Sequence, residues 1–311
     1  MTDCPKVSIV TITYGHENYI TQTLDGVLMQ QYAGEIEFVI ANDHSPDATD
    51  CVIKDYLSVK KIPTNFTIKY TRHEKNKGMM PNFIWALEQA SGKYIALCEG
   101  DDYWSDPLKL QKQVGFLEDN EGFVLCFTRQ NILEEAHMKI SETEYKKNIF
   151  NKSEIPFIHV PTLTTVFRNV TNLMPRQMYR SIIDASLFLY LSQFGKFYRF
   201  EEETAVYRVH TGGIYSGSSE IHNLKRSVAA RLAAWRYLKN IDKVATAENI
   251  VFLLRLKMQA EQKENMRFAV LKTKMIERFF IFYLMQDYLK KKWFLNANPQ
   301  DGLTATEDLN N

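Results

Sequence analysis

From residue 7 to about residue 130, short β-branched runs alternate with amphipathic helical patterns, and that alternation restricts the fold more than any other feature of the chain. Val7 to Ile12, V-S-I-V-T-I, reads as a buried strand. Ile20, Leu24, Val27 and Leu28 then recur on one helical face. Ile36 to Ile40 predicts a second strand, a helix through Leu57 follows, and Phe66 to Tyr70 predicts a third strand. Pro81 to Ala90 reads as a helix stopped by Ser91-Gly92, and Tyr94 to Cys98 as a fourth strand. Asp106-Pro107 opens a further helix with a cap and a first-turn proline, its core face being Leu110, Val114 and Leu117. Phe123 to Phe127 is one more strand. This order predicts an α/β fold with a mixed, mostly parallel sheet flanked by helices. In such sheets ligands bind beyond the carboxyl ends of the strands.

Three polar clusters sit at those ends: Tyr14 to His16, Asn42 to Ser45, and Glu99 to Asp102. In the third, carboxylates crowd within four positions and repel one another unless a cation or a donor neutralises them. Divalent magnesium or manganese takes oxygen ligands and bridges phosphates, so either suits the cluster. A solvated acidic turn is the structural alternative, and at this level both stand.

Composition narrows the function classes. A formal net charge of +1 on 311 residues leaves no bulk field for nucleic acid. Cys4, Cys51, Cys98 and Cys126 contain no C-x-x-C pair, which argues against structural zinc and for a reducing, cytoplasmic setting. The longest apolar run, Phe279 to Met285, is too short to cross a bilayer, and no signal peptide is expected.

Taken together, V-S-I-V-T-I-T-Y-G-H-E-N-Y-I, F-V-I-A-N-D-H-S-P-D, N-K-G at Asn76 to Gly78, and A-S-G-K-Y-I-A-L-C-E-G-D-D resemble glycosyltransferase family 2, of the bacterial surface-polysaccharide type. The resemblance covers about the first 130 residues and implies a GT-A-like fold, related to the Rossmann type. It implies a nucleoside diphosphate-sugar donor, UDP-linked by expectation, a saccharide or lipid-linked saccharide acceptor, and Mn2+ or Mg2+ on the diphosphate. Tyr14, with Thr13 beside it, takes the position that packs on the base, and Asp43 the position that hydrogen-bonds it. Arg72 stands where a base or phosphate contact is made. Asp101 and Asp102 match the ribose and metal acids, with Glu99 and Trp104 flanking them as weaker candidates. Ile12, Gly15, Asn42 and Glu99 depart from the family pattern, and Glu99 is one methylene longer than the usual Asp.

The resemblance also implies an inverting transfer, in which a carboxylate deprotonates the acceptor hydroxyl. Asp184 in S-I-I-D-A-S-L-F-L-Y fits, although it is also a natural helix cap. Arg208 and His210 in Y-R-V-H fit a downstream contact to diphosphate or metal, against the commoner structural use of a lone histidine.

The expected organisation is a GT-A-like domain over 1–219, divided into a nucleotide-sugar half at 1–130 and an acceptor half at 131–219. A helical region at 220–296 and a disordered tail at 297–311 follow. Leu224, Val228, Leu232, Trp235 and Leu238 form one helical stripe. Further on, Lys272, Lys274, Arg278 and Lys290 to Lys292 interleave with Phe279, Phe280, Phe282, Trp293 and Phe294. That pattern fits a peripheral contact with the cytoplasmic face of a membrane, and equally a core-facing aromatic stripe or a homodimer contact. Two rivals to the enzyme reading differ by residue. A nucleotidyltransferase needs a glycine-rich basic loop where Thr13-Tyr14-Gly15-His16 stands. A non-catalytic nucleotide-sugar-binding protein has no use for Asp184.

Overall fold

The structure, a computed structural model, describes residues 4–134, 137–140, 145–181, 184–213 and 217–297. In chain order it comprises β1 (Val7–Thr13), α1 (Ile20–Leu28), β2 (Ile36–Asn42), α2 (Thr49–Val59), β3 (Phe66–Arg72), α3 (Met79–Gln89) and β4 (Tyr94–Leu97). Then come β5 (Tyr103–Trp104), α4 (Lys109–Asp119), β6 (Phe123–Glu134), β7 (His137–Ile140), β8 (Ile149–Phe150) and β9 (Val166–Arg168). The chain continues with α5 (Asp184–Leu191), β10 (Lys196–Val209), α6 (Glu220–Tyr237), α7 (Lys243–Lys263) and α8 (Arg267–Ala297).

One mixed sheet runs in the order β3-β2-β1-β4-β9-β6-β10-β5, with β7 on β6 and β8 on β10. The first four strands in this order are parallel, and β1, β2 and β4 are the continuous apolar runs of strands covered on both faces, while β3 alternates at the edge. Every residue of β2 is buried. β9 enters antiparallel between β4 and β6. β10 pairs in parallel with β6 through irregular register and then accepts β5 across Ala205 and Val206. That last pairing brings residues 205–210 to the carboxyl end of β4.

The sheet's two faces carry two cores. Ile9, Ile20, Leu24, Val27, Phe38, Leu110, Val114 and Leu117 belong to one. Val10, Val39, Phe83, Leu87, Leu97 and Leu125 belong to the other, with α5 against them. The expected core faces of α1 and α4 are therefore the buried ones. α4 begins later than expected: Asp106 Oδ1 accepts the Leu108 N–H at 2.8 Å, so Asp106-Pro107-Leu108 forms the turn before the helix. β6 continues past Phe127, where the expected strand ends, to Glu134, and β7 pairs antiparallel with it.

α6, α7 and α8 pack on one another around Val228, Ala247, Ile250, Leu254 and Phe280. The aromatic residues of α8 divide. Phe280 is 2% exposed against Trp235, whereas Phe279 and Phe282 are 56% and 59% exposed. Among the described residues no helix is long and apolar enough to cross a membrane. The expected tail lies outside the described residues beyond Ala297.

Candidate active site

The turn after β1 is built for close approach. Gly15 has φ +74°, a conformation that L side chains resist. The loop after β2 holds the turn in place: Gly15 N–H donates to Ser45 Oγ, His16 N–H to Thr49 Oγ1 and Glu17 N–H to Asp47 Oδ2. Gly100, inside E-G-D-D, packs directly on this turn. A Cβ there would meet Thr13 Oγ1 at 2.6 Å and His16 Nδ1 at 2.9 Å. The glycine lets the acidic segment after β4 slide against His16.

His16, Asp101 and His210 converge as a result. Asp101 Oδ2 lies 3.1 Å from His210 Nε2 and 3.8 Å from His16 Nε2. One ligand atom from each of the three falls within 4.8 Å of the others. Burial, chiefly, pushes the His16 imidazole below its usual pKa, against the pull of Asp101, so its nitrogens are free of the second proton near neutral pH. The Asp101 carboxyl sits low even though burial opposes it, because His210 and His16 stabilise its charge. Two imidazole nitrogens and a carboxylate oxygen form a set that fits a divalent cation and leaves positions open for phosphate oxygens.

The neighbouring acids differ in kind. Asp102 is 3% exposed and accepts the Arg208 N–H through Oδ1 at 2.8 Å. Burial, then the charges of Asp101 and Glu99, holds its carboxyl well above the usual range. It ties the acidic segment to β10 and is not part of the group formed by the two histidines and Asp101. Glu99 has one buried carboxylate oxygen, Oε2, without a hydrogen-bond partner among the described residues. Burial and the charges of Asp184 and Asp101 raise it to about 8, so the group is protonated near neutral pH. Asp184 is exposed in the first turn of α5, on the Glu99 side of the sheet, where its charge is felt by Glu99 and by His159.

Arg208 spans the site's outer edge. Nε donates to the Asp101 carbonyl at 2.9 Å, and the guanidinium lies over Tyr19 at 4.8 Å, with Gln22 at its far end. Tyr19 in turn packs against the His210 ring. Tyr14 is 48% exposed directly after β1, and Thr13 before it meets His16 Nδ1 through Oγ1 at 3.2 Å. Arg72 is exposed at the end of β3, its Nη2 at 3.5 Å from the Ser45 carbonyl.

Glycosyl transferase family 2 is the family whose profile matches, over residues 8–174, more than half of the chain and every strand-end cluster around Tyr14, Asp43 and Asp101. The chain belongs to glycosyl transferase family 2. An uncharacterized protein of Mycobacterium tuberculosis is 34% identical over 219 residues, which cover 67% of this chain and 60% of that one. The chain thus spans about 60% of the length of that curated relative. Staphylococcus aureus TarS, solved in complex with UDP-GlcNAc, superposes with a TM-score of 0.58 at 15% identity, over 80% of this chain and 71% of that one. The mannosyltransferase PcManGT of Pyrobaculum calidifontis, solved with GDP-Man and Mn2+, gives a TM-score of 0.54 at 14% identity, over 96% of this chain and 89% of that one. At these identities the two structures carry the fold: GT-A-like, as expected.

Within this family member, the strand ends bring Thr13, Tyr14, Arg72, Asp101, Arg208 and His210 to one edge of the sheet. Two expected site residues are otherwise engaged. Both oxygens of Asp43 accept backbone N–H groups, from Lys77 at 2.7 Å and Gly78 at 2.8 Å, so the carboxylate clips the N-K-G loop. Trp104 is 1% exposed and donates through Nε1 to the Leu163 carbonyl; it is a core residue of β5, not a lining of the site. His16 was not among the expected site residues. Its only sequence signal was its place in the strand-end cluster Tyr14-Gly15-His16.

Proposed function

We propose that the chain is an inverting glycosyltransferase that moves a sugar from a nucleoside diphosphate-sugar, UDP-linked by preference, to a hydroxyl of a saccharide or lipid-linked saccharide in polysaccharide or glycolipid synthesis. The convergence of His16, Asp101 and His210 beside the exposed Tyr14 carries this reading. Tyr14 offers a ring face to the base, and Arg72 a guanidinium to the base or a phosphate. His16, Asp101 and His210 would hold Mn2+ or Mg2+, which would neutralise charge on the diphosphate leaving group, an effect worth several kcal/mol in such sites. Asp102 supports this arrangement by fixing Asp101 and Arg208 against each other.

Asp184 takes the acceptor's proton. The acceptor oxygen bonds to the anomeric carbon, the bond from that carbon to the diphosphate oxygen breaks with its electron pair, and the proton ends on the Asp184 carboxylate. Glu99, raised to about 8 by burial and by the charges of Asp184 and Asp101, is protonated near neutral pH and so does not compete for the acceptor's proton.

The test incubates the protein with UDP-, GDP- and dTDP-sugars, with and without manganese, and measures nucleoside diphosphate release. Release with one donor class and its loss on chelation are expected. Asp184→Asn should keep donor binding and lose transfer; full transfer by this variant overturns the base assignment.

A further inference from the structure

α8 shows solvent an apolar stripe that covers nothing among the described residues. Phe268, Leu271, Met275, Phe282, Met285 and Leu289 are each at least 55% exposed. Their spacing places them along one side of the helix, opposite Val270, Thr273 and Phe280, which are at most 9% exposed against α6 and α7. The helix is therefore buried by one face and apolar on the other, whereas an ordinary surface helix turns charge outward.

Charge on α8 is sorted in the same way. It carries seven basic residues, Arg267, Lys272, Lys274, Arg278, Lys290, Lys291 and Lys292, and only two acids, Glu277 and Asp287. Glu277 is turned inward to Arg255 of α7 at 2.8 Å. At 100° per residue, Lys274 lies about 80° to one side of Phe282, with Arg278 nearer, and Lys272 and Lys290 lie about 80° to the other. The apolar stripe thus has cations along both borders. Among the described residues none of these four cations is ion-paired with a carboxylate.

We propose that this face of α8 docks the protein on an anionic lipid bilayer. The stripe enters the acyl boundary and the flanking lysines and arginine reach phosphate headgroups with their stems along the apolar surface. Charge complementarity selects this occupant. A second copy of α8 would set the same cationic borders against each other in either orientation, while an anionic surface matches them. The proposal stands independently of the transfer chemistry.

Sedimentation of the full-length protein with vesicles tests it. Vesicles of phosphatidylcholine containing a quarter phosphatidylglycerol should bind the protein at low salt, more than tenfold better than phosphatidylcholine alone, and added salt should weaken the binding. Replacing Lys272, Lys274 and Arg278 together with Gln should lower affinity about 100-fold, at roughly fivefold per cation. Met275→Ser with Phe282→Ser should remove binding and leave the circular dichroism spectrum and melting midpoint unchanged, because both side chains are exposed. Equal binding to both vesicles, or none, overturns the proposal. So does a concentration-dependent dimer, seen by light scattering, that the serine variant dissociates, since it assigns the face to a second copy.

Discussion

His210 Nε2 lies 3.1 Å from Asp101 Oδ2, although 109 positions separate the two residues in sequence. β10 makes this contact by pairing with β5 and so carrying Y-R-V-H back to the end of β4. If these residues and His16 hold the cation, each ligand matters and Asp102 does not touch it. His16→Ala and His210→Ala should each weaken Mn2+ binding by at least about 100-fold, beyond the loss expected from an outer partner. Asp102→Asn should stay within a few-fold of the parent, since an amide oxygen can still accept the Arg208 N–H. Titration of free Mn2+ by electron paramagnetic resonance reads all three. A large loss in Asp102→Asn beside small losses in both alanine variants would return the metal to the second aspartate.

Asp43 makes a separate prediction. Its carboxylate holds the Lys77 and Gly78 amides, the second shared with Asn76 Oδ1 at 2.9 Å, in the loop before α3 where Gly78 takes φ +88°. Asp43→Ala should cost about 2–4 kcal/mol, two charge-assisted hydrogen bonds being lost from a buried site. Amide exchange at Lys77 and Gly78 should accelerate far more than exchange in β1 or β2. Unchanged protection of those two amides contradicts the clip.

Glu37 should contribute to stability against acid. Its carboxylate, buried in β2, accepts from Ser8 Oγ, Ser91 N and Ser91 Oγ, and pairs with Lys69 at 2.7 Å and Lys6 at 3.2 Å. Burial alone would raise its pKa, but the bonds from Lys69, Ser8 and Ser91 prevail and pull it from 4.5 down to about 2. An acid depressed on folding stabilises the native state above its unfolded pKa and loses that contribution as pH falls through the folded one. Stability should therefore decline between pH 4.5 and about 2. Glu37→Gln should lower stability at pH 7 by about 3 kcal/mol and flatten the decline. Urea midpoints across that range check both; an equally steep decline in the variant excludes Glu37 as its source.

Local patterns made the first 130 residues readable. β1 to β4 are apolar runs with helix-period stripes between them, and each polar cluster follows its strand directly, so the sheet edge where these clusters gather is legible in the sequence. What stayed hidden depends on pairing across long separations. Nothing near His16 announces that Gly100 packs on it and that His210 arrives from β10. Asp43 reads the same whether it meets a base or the amides of a loop. Trp104 follows the acids in sequence, yet β5 turns it into the core. In α8, Phe279, Phe280 and Phe282 are alike by composition, and only the packing of the helix on α6 and α7 separates the buried ring from the exposed ones.

Lys109 provides a last test, in the alkaline direction. Its side chain is wholly buried, with Nζ donating to Gln113 Oε1 at 2.6 Å and to the Thr164 carbonyl at 3.1 Å, 4.7 Å from the centre of the Trp104 ring. No carboxylate pairs with it among the described residues. Burial lowers the amine from 10.5 to about 7, against weaker opposing pulls from Cys126, Cys98 and Asp106. Between pH 7 and 10.5 the unfolded chain then binds a proton at this residue that the folded chain does not, so this group makes stability rise with pH through that window. Below about 7 both states are protonated and the cost of burying the charge is fully felt. Lys109→Met keeps the volume and removes the charge. Because Gln113 Nε2 also donates to the Thr164 carbonyl, that acceptor keeps a partner. The variant should match or exceed the parent at pH 7, by up to about 2 kcal/mol, as replacements of buried charges by apolar groups often do. The difference between the two proteins should shrink as pH approaches 10.5. Urea denaturation of both from neutral to alkaline pH measures it, and parallel curves would show that Lys109 does not change its proton on folding.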